Sequence, residues 1–192
     1  MSQVSLKSIK SAVYVNIITI SKGFYNKNGI VIGPLRMACL KVGCVDNEES
    51  TTNNRNLEIR IKEHENKYDG KSIPLMIYNC DHPRKLEAKI KKLLKDERLN
   101  IMYKHNADIS RVLECYPLSL NIIQRIQNIK KIGKVTYPFD KLKNINTEKD
   151  FETFVDDLIP DYGTPKIMDS IEDSLTQKQA KILKQNSVWK YK

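Results

Sequence analysis

The 192-residue chain has no apolar run approaching the roughly 18 residues that a membrane-spanning helix requires. Its opening stretch, MSQVSLKSIKSAVYVNIITI, lacks a small-residue cleavage site and alternates like a strand, so neither a signal peptide nor a membrane partner is expected. The four cysteines (Cys39, Cys44, Cys80 and Cys115) contain no CxxC pair and sit at irregular spacing inside apolar segments. A thiolate metal site therefore has little to build on, and the cysteines read as small buried hydrophobes that need no oxidising compartment. The expected setting is intracellular and reducing. No internal repeat is found. Acids are missing from the last sixteen residues, which carry five lysines. They are nearly missing from 82–95, where six Lys/Arg surround a single carboxylate, Glu87.

What remains is the composition of a soluble globular protein, 40% hydrophobic and 29% charged, long enough for one domain with a core and an appendage. The net charge of +10 is uneven. Residues 145–176 hold nine acids against two lysines, a net of −7, and residues 1–144 carry +12. A basic body favours a polyanion, most commonly nucleic acid. The plainer alternative is a Lys-rich solvated surface in a chain where Lys, Asn and Ile are all abundant.

Along the chain, SAVYVNIITIS (11–21) reads as a buried strand, and KGFYNKNGIVIG (22–33) as a hairpin turning at Asn28-Gly29. RMACLKVGCV (36–45) is a second core strand. NRNLEIRIKEHENKY (54–68) is an amphipathic helix capped by Asn53 or Asn54, and IPLMIYNC (73–80) is a third strand. Asp81 and Pro83 open a helix expected to reach about Leu99, with Leu86, Ile90, Leu93 and Leu94 as its apolar stripe. Beyond 111 the pattern is mainly helical: one helix stopped by Gly133, an acidic one ended by Pro160, and a terminal one with a basic end. The division expected is therefore 1–110 as the principal domain and 111–192 as a helical extension. That extension carries the acidic segment 145–176, suited to docking on a protein partner or folding over the basic face.

Ala12-Val13-Tyr14 on the first strand, Lys41-Val42-Gly43 on the second and LEIRIKEH on the following helix occur in an order that resembles the GIY-YIG nuclease superfamily. The likeness is to the divergent branch of phages and large DNA viruses, and covers about residues 12–100. Tyr14 keeps the tyrosine of the first tripeptide, and Gly43 keeps the glycine of the second, where Lys41 replaces the tyrosine. Arg60 falls at the family's helical arginine, and Glu87 at its metal-binding glutamate. Asn100 and Asn106 are both candidates for a further polar residue. The 27 residues from Tyr14 to Lys41 exceed the family's usual spacing, and the hairpin at 22–33 would account for the excess.

The resemblance implies an α+β fold with a small central antiparallel three-stranded sheet and flanking helices. It implies a viral or mobile-element endonuclease that hydrolyses DNA phosphodiesters with Mg²⁺ or Mn²⁺, with Tyr14, Lys41, Arg60 and Glu87 catalytic and Glu87 on the metal. The residue types suit that chemistry. One carboxylate can hold a Mg²⁺ that keeps most of its waters, arginine presents a planar fork to phosphate, and a tyrosine can orient water or, if cations lower its pKa, deprotonate it. His64, Arg84, Lys85, Lys89, Lys91 and Lys92 would contact DNA, the basic ones through its backbone. The alternative is a catalytically lapsed member kept as a nucleic-acid-binding protein or a structural component of a virus particle. Each residue also has an ordinary reading: Tyr14 as core, Arg60 paired with Glu58 or Glu63, and Glu87 paired with Lys91.

Overall fold

Ser11–Ile20 forms a ten-residue strand, and every residue of it after Ser11 is buried. A strand covered on both faces favours β-branched and apolar residues, and SAVYVNIITI supplies them at nearly every buried position; the exception, Asn16, donates its amide to the Ser72 hydroxyl at 3.0 Å. The computed structural model describes residues 5–20, 24–25, 31–33, 37–46, 56–98, 101–105, 108–112, 114–129 and 134–160, with 24–25, 31–33, 37, 101–105 and 108–112 described by their backbone alone. In chain order the elements are β1 (Ser11–Ile20), β2 (Phe24–Tyr25), β3 (Val31–Gly33), β4 (Met37–Asp46), α1 (Leu57–Tyr68), β5 (Ser72–Asn79) and α2 (Pro83–Leu93). They continue with β6 (Ile101–His105), β7 (Asp108–Val112), β8 (Cys115–Tyr116), α3 (Leu120–Gln127), β9 (Lys134–Thr136) and α4 (Glu148–Leu158). No helix among the described residues is long and apolar enough to cross a membrane.

The chain is α+β, but the expected three-stranded sheet is only the centre of a five-stranded antiparallel one. Its order is β8-β4-β1-β5-β9. β1 pairs with β4 without interruption, from Ser11 opposite Asp46 to Ile20 opposite Met37. Its pairing with β5 shifts between Val15 and Asn16, where Pro74 stands opposite Asn16. Proline has no N–H to donate to the ladder, so a register shift at this point is expected. The added strands β8 and β9 are two and three residues long and come from the region read as a helical extension. Strands that short show no periodicity in a sequence.

A second sheet has the order β3-β2-β6-β7. β2 and β3 pair antiparallel between the two motif strands, as the hairpin reading required, and β1 and β4 remain partners. The Asn28-Gly29 turn lies outside the described residues, as do Asn100, Asn106 and 161–192.

The helix ends differ from expectation in detail. Asn56, not Asn53 or Asn54, caps α1 by accepting from the Ile59 N–H at 3.0 Å. His82, not Asp81, stands at the N-cap of α2 and makes no side-chain cap bond, while Pro83 occupies the first turn, where its missing N–H costs nothing. α2 stops at Leu93, and a single 3-10 turn over Lys95–Glu97 replaces the expected continuation.

Alternate residues of the central strands serve two cores. Val13, Val15, Ile17, Leu40 and Val42 face one of them, with Ile90 and Leu94 from the α2 region, Ile122, Ile123 and Ile126 from α3, and Phe151, Phe154 and Val155 from α4. Ala12, Tyr14, Val45 and Ile77 face the other, against Leu57 and Ile61 of α1. The described parts of 115–159 thus contribute to the main core and complete the sheet. Within the acidic segment, α4 is anchored by its buried phenylalanines, and the Glu148 carboxylate caps α3 by accepting from the Leu120 N–H at 3.1 Å.

Candidate active site

Tyr14 leaves β1 on the α1 face, and Glu87 belongs to α2 on the other. Gly43 gives the phenol room to lie over β4. It stands directly opposite Tyr14 in the β1–β4 ladder, and a Cβ on it would collide with the phenol oxygen and lie 2.5 Å from Cζ. Gly43 is required for space, not for a positive φ. The next residue, Cys44, points to the α2 side, and its thiol donates to Glu87 Oε2 at 3.3 Å. β8 pairs with β4 only at Leu40 and Lys41, before this point.

On the α1 side, Tyr14 is completely buried and its hydroxyl lies 3.4 Å from His64 Nε2. Burial raises the phenol pKa well above its ordinary value, the nearby Arg60 charge opposes that rise, and Glu87 and Cys44 add to it. Burial works to lower the Arg60 pKa, but Tyr14 and Glu63 outweigh it and the guanidinium is held firmly charged. Arg60 Nη1 pairs with Glu63 Oε2 at 2.6 Å, one of the two ordinary partners that the sequence allowed.

His64 is 4% exposed, and its Nδ1 has no hydrogen-bond partner among the described residues. Burial, reinforced by the positive charges of Lys41, Arg60 and Lys67, lowers its pKa to about 3, so it is neutral at physiological pH. The Lys67 pKa is lowered by its partial burial and by Lys41 and Arg60. Three cations thus lean on one another around the buried Tyr14–His64 pair, an arrangement that an anion would relieve.

A chain of ion pairs runs from Lys41, on the Tyr14 face of the sheet, to Glu87 on the α2 side. Lys41, only 5% exposed, places Nζ 3.4 Å from Glu114 Oε2. Glu114 Oε1 receives Lys91 Nζ at 3.0 Å, and the same ammonium lies 3.2 Å from Glu87 Oε1. Partial burial raises the Glu114 pKa, but Lys91 and Lys41 overcome it and hold the carboxyl below its ordinary value. The Cys44 thiol is pushed up to about 12, first by burial and then by Glu87, so it remains a protonated donor.

Tyr14 thus feels the charges of Arg60 and Glu87, and Lys41 is linked to them through His64 and through the Glu114–Lys91 pair. The expected nucleic-acid residues divide. Lys85, Lys89 and Lys92 are exposed on the outward side of α2. Arg84 Nε holds Asp46 Oδ2 at 3.3 Å, Lys91 is engaged by two carboxylates, and His64 is buried against Tyr14. Two members were not identified from the sequence. Lys67 had a usable signal, because Arg60, His64 and Lys67 follow the i, i+4, i+7 spacing of one helix face. Glu114 had none; it is one acid inside RVLECYPL, brought in by the β8 pairing.

Among the described residues, no three His, Cys, Asp or Glu side chains are placed to hold a metal ion together. Glu87 still suits a cation that keeps its water. A carboxylate offers about four acceptor positions, and Lys91 and Cys44 use one on each oxygen, leaving capacity for a hydrated Mg²⁺. Comparison of the chain with protein-family models, with curated proteins and with solved structures finds no match.

Proposed function

We propose that the protein is a Mg²⁺- or Mn²⁺-dependent DNA endonuclease of the GIY-YIG type, with Tyr14, Lys41, Arg60 and Glu87 as its working residues. The observation that carries this reading is the buried Tyr14 phenol lying over Gly43, where it is influenced by an arginine from α1 and a glutamate from α2. Arg60 would grip a non-bridging phosphate oxygen, and Lys41 and Lys67 would add positive charge where a pentacoordinate phosphate accumulates negative charge. Tyr14 would orient the attacking water. Its raised pKa disfavours the phenolate, so orientation and not proton removal is the role its environment supports. Glu87 would hold the divalent ion, which when bound polarises the phosphate and stabilises the departing oxygen. The exposed Lys85, Lys89 and Lys92 would attract the DNA backbone without reading sequence.

A second reading is a non-cleaving relative that binds nucleic acid, for instance as a structural component of a virus particle. It is favoured by the fact that both Glu87 oxygens already have protein partners. Nicking of supercoiled plasmid in Mg²⁺ or Mn²⁺ decides between them. The nuclease reading expects wild type to nick, and Glu87→Gln to abolish nicking while DNA binding is kept or slightly strengthened, since one negative charge is removed from a cationic face. A Glu87→Gln protein that cleaves at the wild-type rate refutes the metal role. Wild type that binds DNA and never cleaves with either ion establishes the second reading.

A further inference from the structure

Lys91 sits four residues after Glu87 on α2, the spacing of an ordinary helix-surface pair, yet a third group changes its meaning. Glu114 reaches the same ammonium from a different segment, at 3.0 Å against 3.2 Å for Glu87. It does so from a backbone φ of 55°, a conformation uncommon for a residue with a side chain. Its carbonyl accepts from the Val42 N–H at 3.2 Å, and the next residue, Cys115, pairs with Lys41 in the sheet. The main chain therefore fixes Glu114 between two lysines. Two carboxylates and two ammonium groups alternate along this chain of pairs and balance in charge.

We infer that Lys91 is the resident cation of the Glu87 carboxylate, and that Glu114 takes over Lys91 when a divalent ion binds Glu87. The inference rests on the reading of Glu87 as the metal-holding residue. A divalent ion on Glu87 would repel an ammonium held 3.2 Å from the same carboxylate. With Glu114 already in contact, Lys91 can let go of Glu87 and still keep a counter-charge. The device keeps Glu87 neutralised in the absence of metal and weakens the site for cations generally. Both residues are positioning residues and neither touches the reacting atoms.

Mn²⁺ binding to the full chain, followed through the electron paramagnetic resonance signal of free Mn²⁺, tests this without requiring activity. Lys91→Met should bind Mn²⁺ on the order of tenfold tighter or more, since one unit charge at contact distance is removed. Adding Glu87→Gln should erase the gain. Lys89→Met, the same charge change on the outward side of α2, should move the affinity by less than about twofold. Lys91→Gln, closer in shape and polarity, should reproduce the tightening if Lys91→Met disturbs the fold. Lys91 variants that bind no tighter than wild type, an equal gain in Lys89→Met, or a gain that survives Glu87→Gln would each overturn the inference. Failure of the nuclease reading looks different: wild type would not nick plasmid, while Lys91→Met still gained Mn²⁺ affinity through Glu87.

Discussion

Gly43→Ala adds one methyl group at the most crowded point of the site. The new Cβ would fall on the Tyr14 phenol oxygen, 2.5 Å from Cζ and 2.9 Å from Cε2. The ring has little room to retreat: Tyr14 is 0% exposed, with β4 on one side, β5 on the other and His64 at its hydroxyl. Overpacking of this kind costs about 1–3 kcal/mol. The stiffer unfolded chain returns about 0.4–1 kcal/mol, because nothing about the Gly43 backbone excludes alanine. A net destabilisation on the order of 1–2 kcal/mol is expected, read from urea unfolding by far-ultraviolet circular dichroism. The decisive control is a pair of double variants. Tyr14→Leu removes Cζ and the hydroxyl, so in that background Gly43→Ala should cost less than about 0.5 kcal/mol. Tyr14→Phe keeps Cζ and Cε2, so there the glycine substitution should retain most of its cost. Equal costs in the wild-type and Tyr14→Leu backgrounds would show that the phenol does not fill the space left by Gly43.

His64 stays neutral in the folded chain down to about pH 3 and gains a proton near its ordinary pKa when unfolded. Its contribution to stability is therefore complete above pH ~6.5 and is lost as pH falls, at up to about 1.4 kcal/mol per pH unit. The urea midpoint should drop between pH 7 and 5 more steeply in wild type than in His64→Phe, and parallel profiles would contradict a buried neutral imidazole. Replacing Lys85, Lys89 and Lys92 together with alanine should weaken DNA binding across sequences alike. It should also reduce the salt slope of log K by about 0.9 for each phosphate that is no longer neutralised, measured by fluorescence anisotropy over a salt series. An unchanged slope would remove the outward side of α2 from the proposed DNA-binding surface.

The three central strands and α1 were legible because each shows its burial in composition or period: a β-branched run for β1, short apolar runs for β4 and β5, and Leu57, Ile61, His64 and Tyr68 at helical spacing for α1. The hairpin between the motif strands was legible from its turn residues and its flanking apolar pairs. β8 and β9 were not, because two or three residues carry no period and their placement depends on β4 and β5 being available as partners. The site divides in the same way. Tyr14, Arg60 and Glu87 could be named from motif order, and Gly43 acquired its physical reason only from the register that sets it opposite the phenol. Glu114 was invisible, since its role comes entirely from a long-range strand pairing. Six basic residues on or near α2 looked equivalent as a charge run, yet Arg84 and Lys91 are bound to carboxylates across the fold.

The strand order also bears on how the chain reaches its native state. Of the described strands of this sheet the central one is made first, its neighbours end at residues 46 and 79, and the two outer strands arrive only with residues 115–116 and 134–136. The sheet must therefore grow outward from the middle, and every intermediate length leaves an open edge. At ribosomal speeds of about 5–20 residues per second, the apolar ribbon Ser11–Ile20 would wait seconds for its first partner, with unpaired backbone on both sides. Such a segment is a ready template for pairing between nascent chains. Yield in a heterologous host should accordingly depend on synthesis temperature and on chaperone capacity more than the stability of the finished fold would suggest.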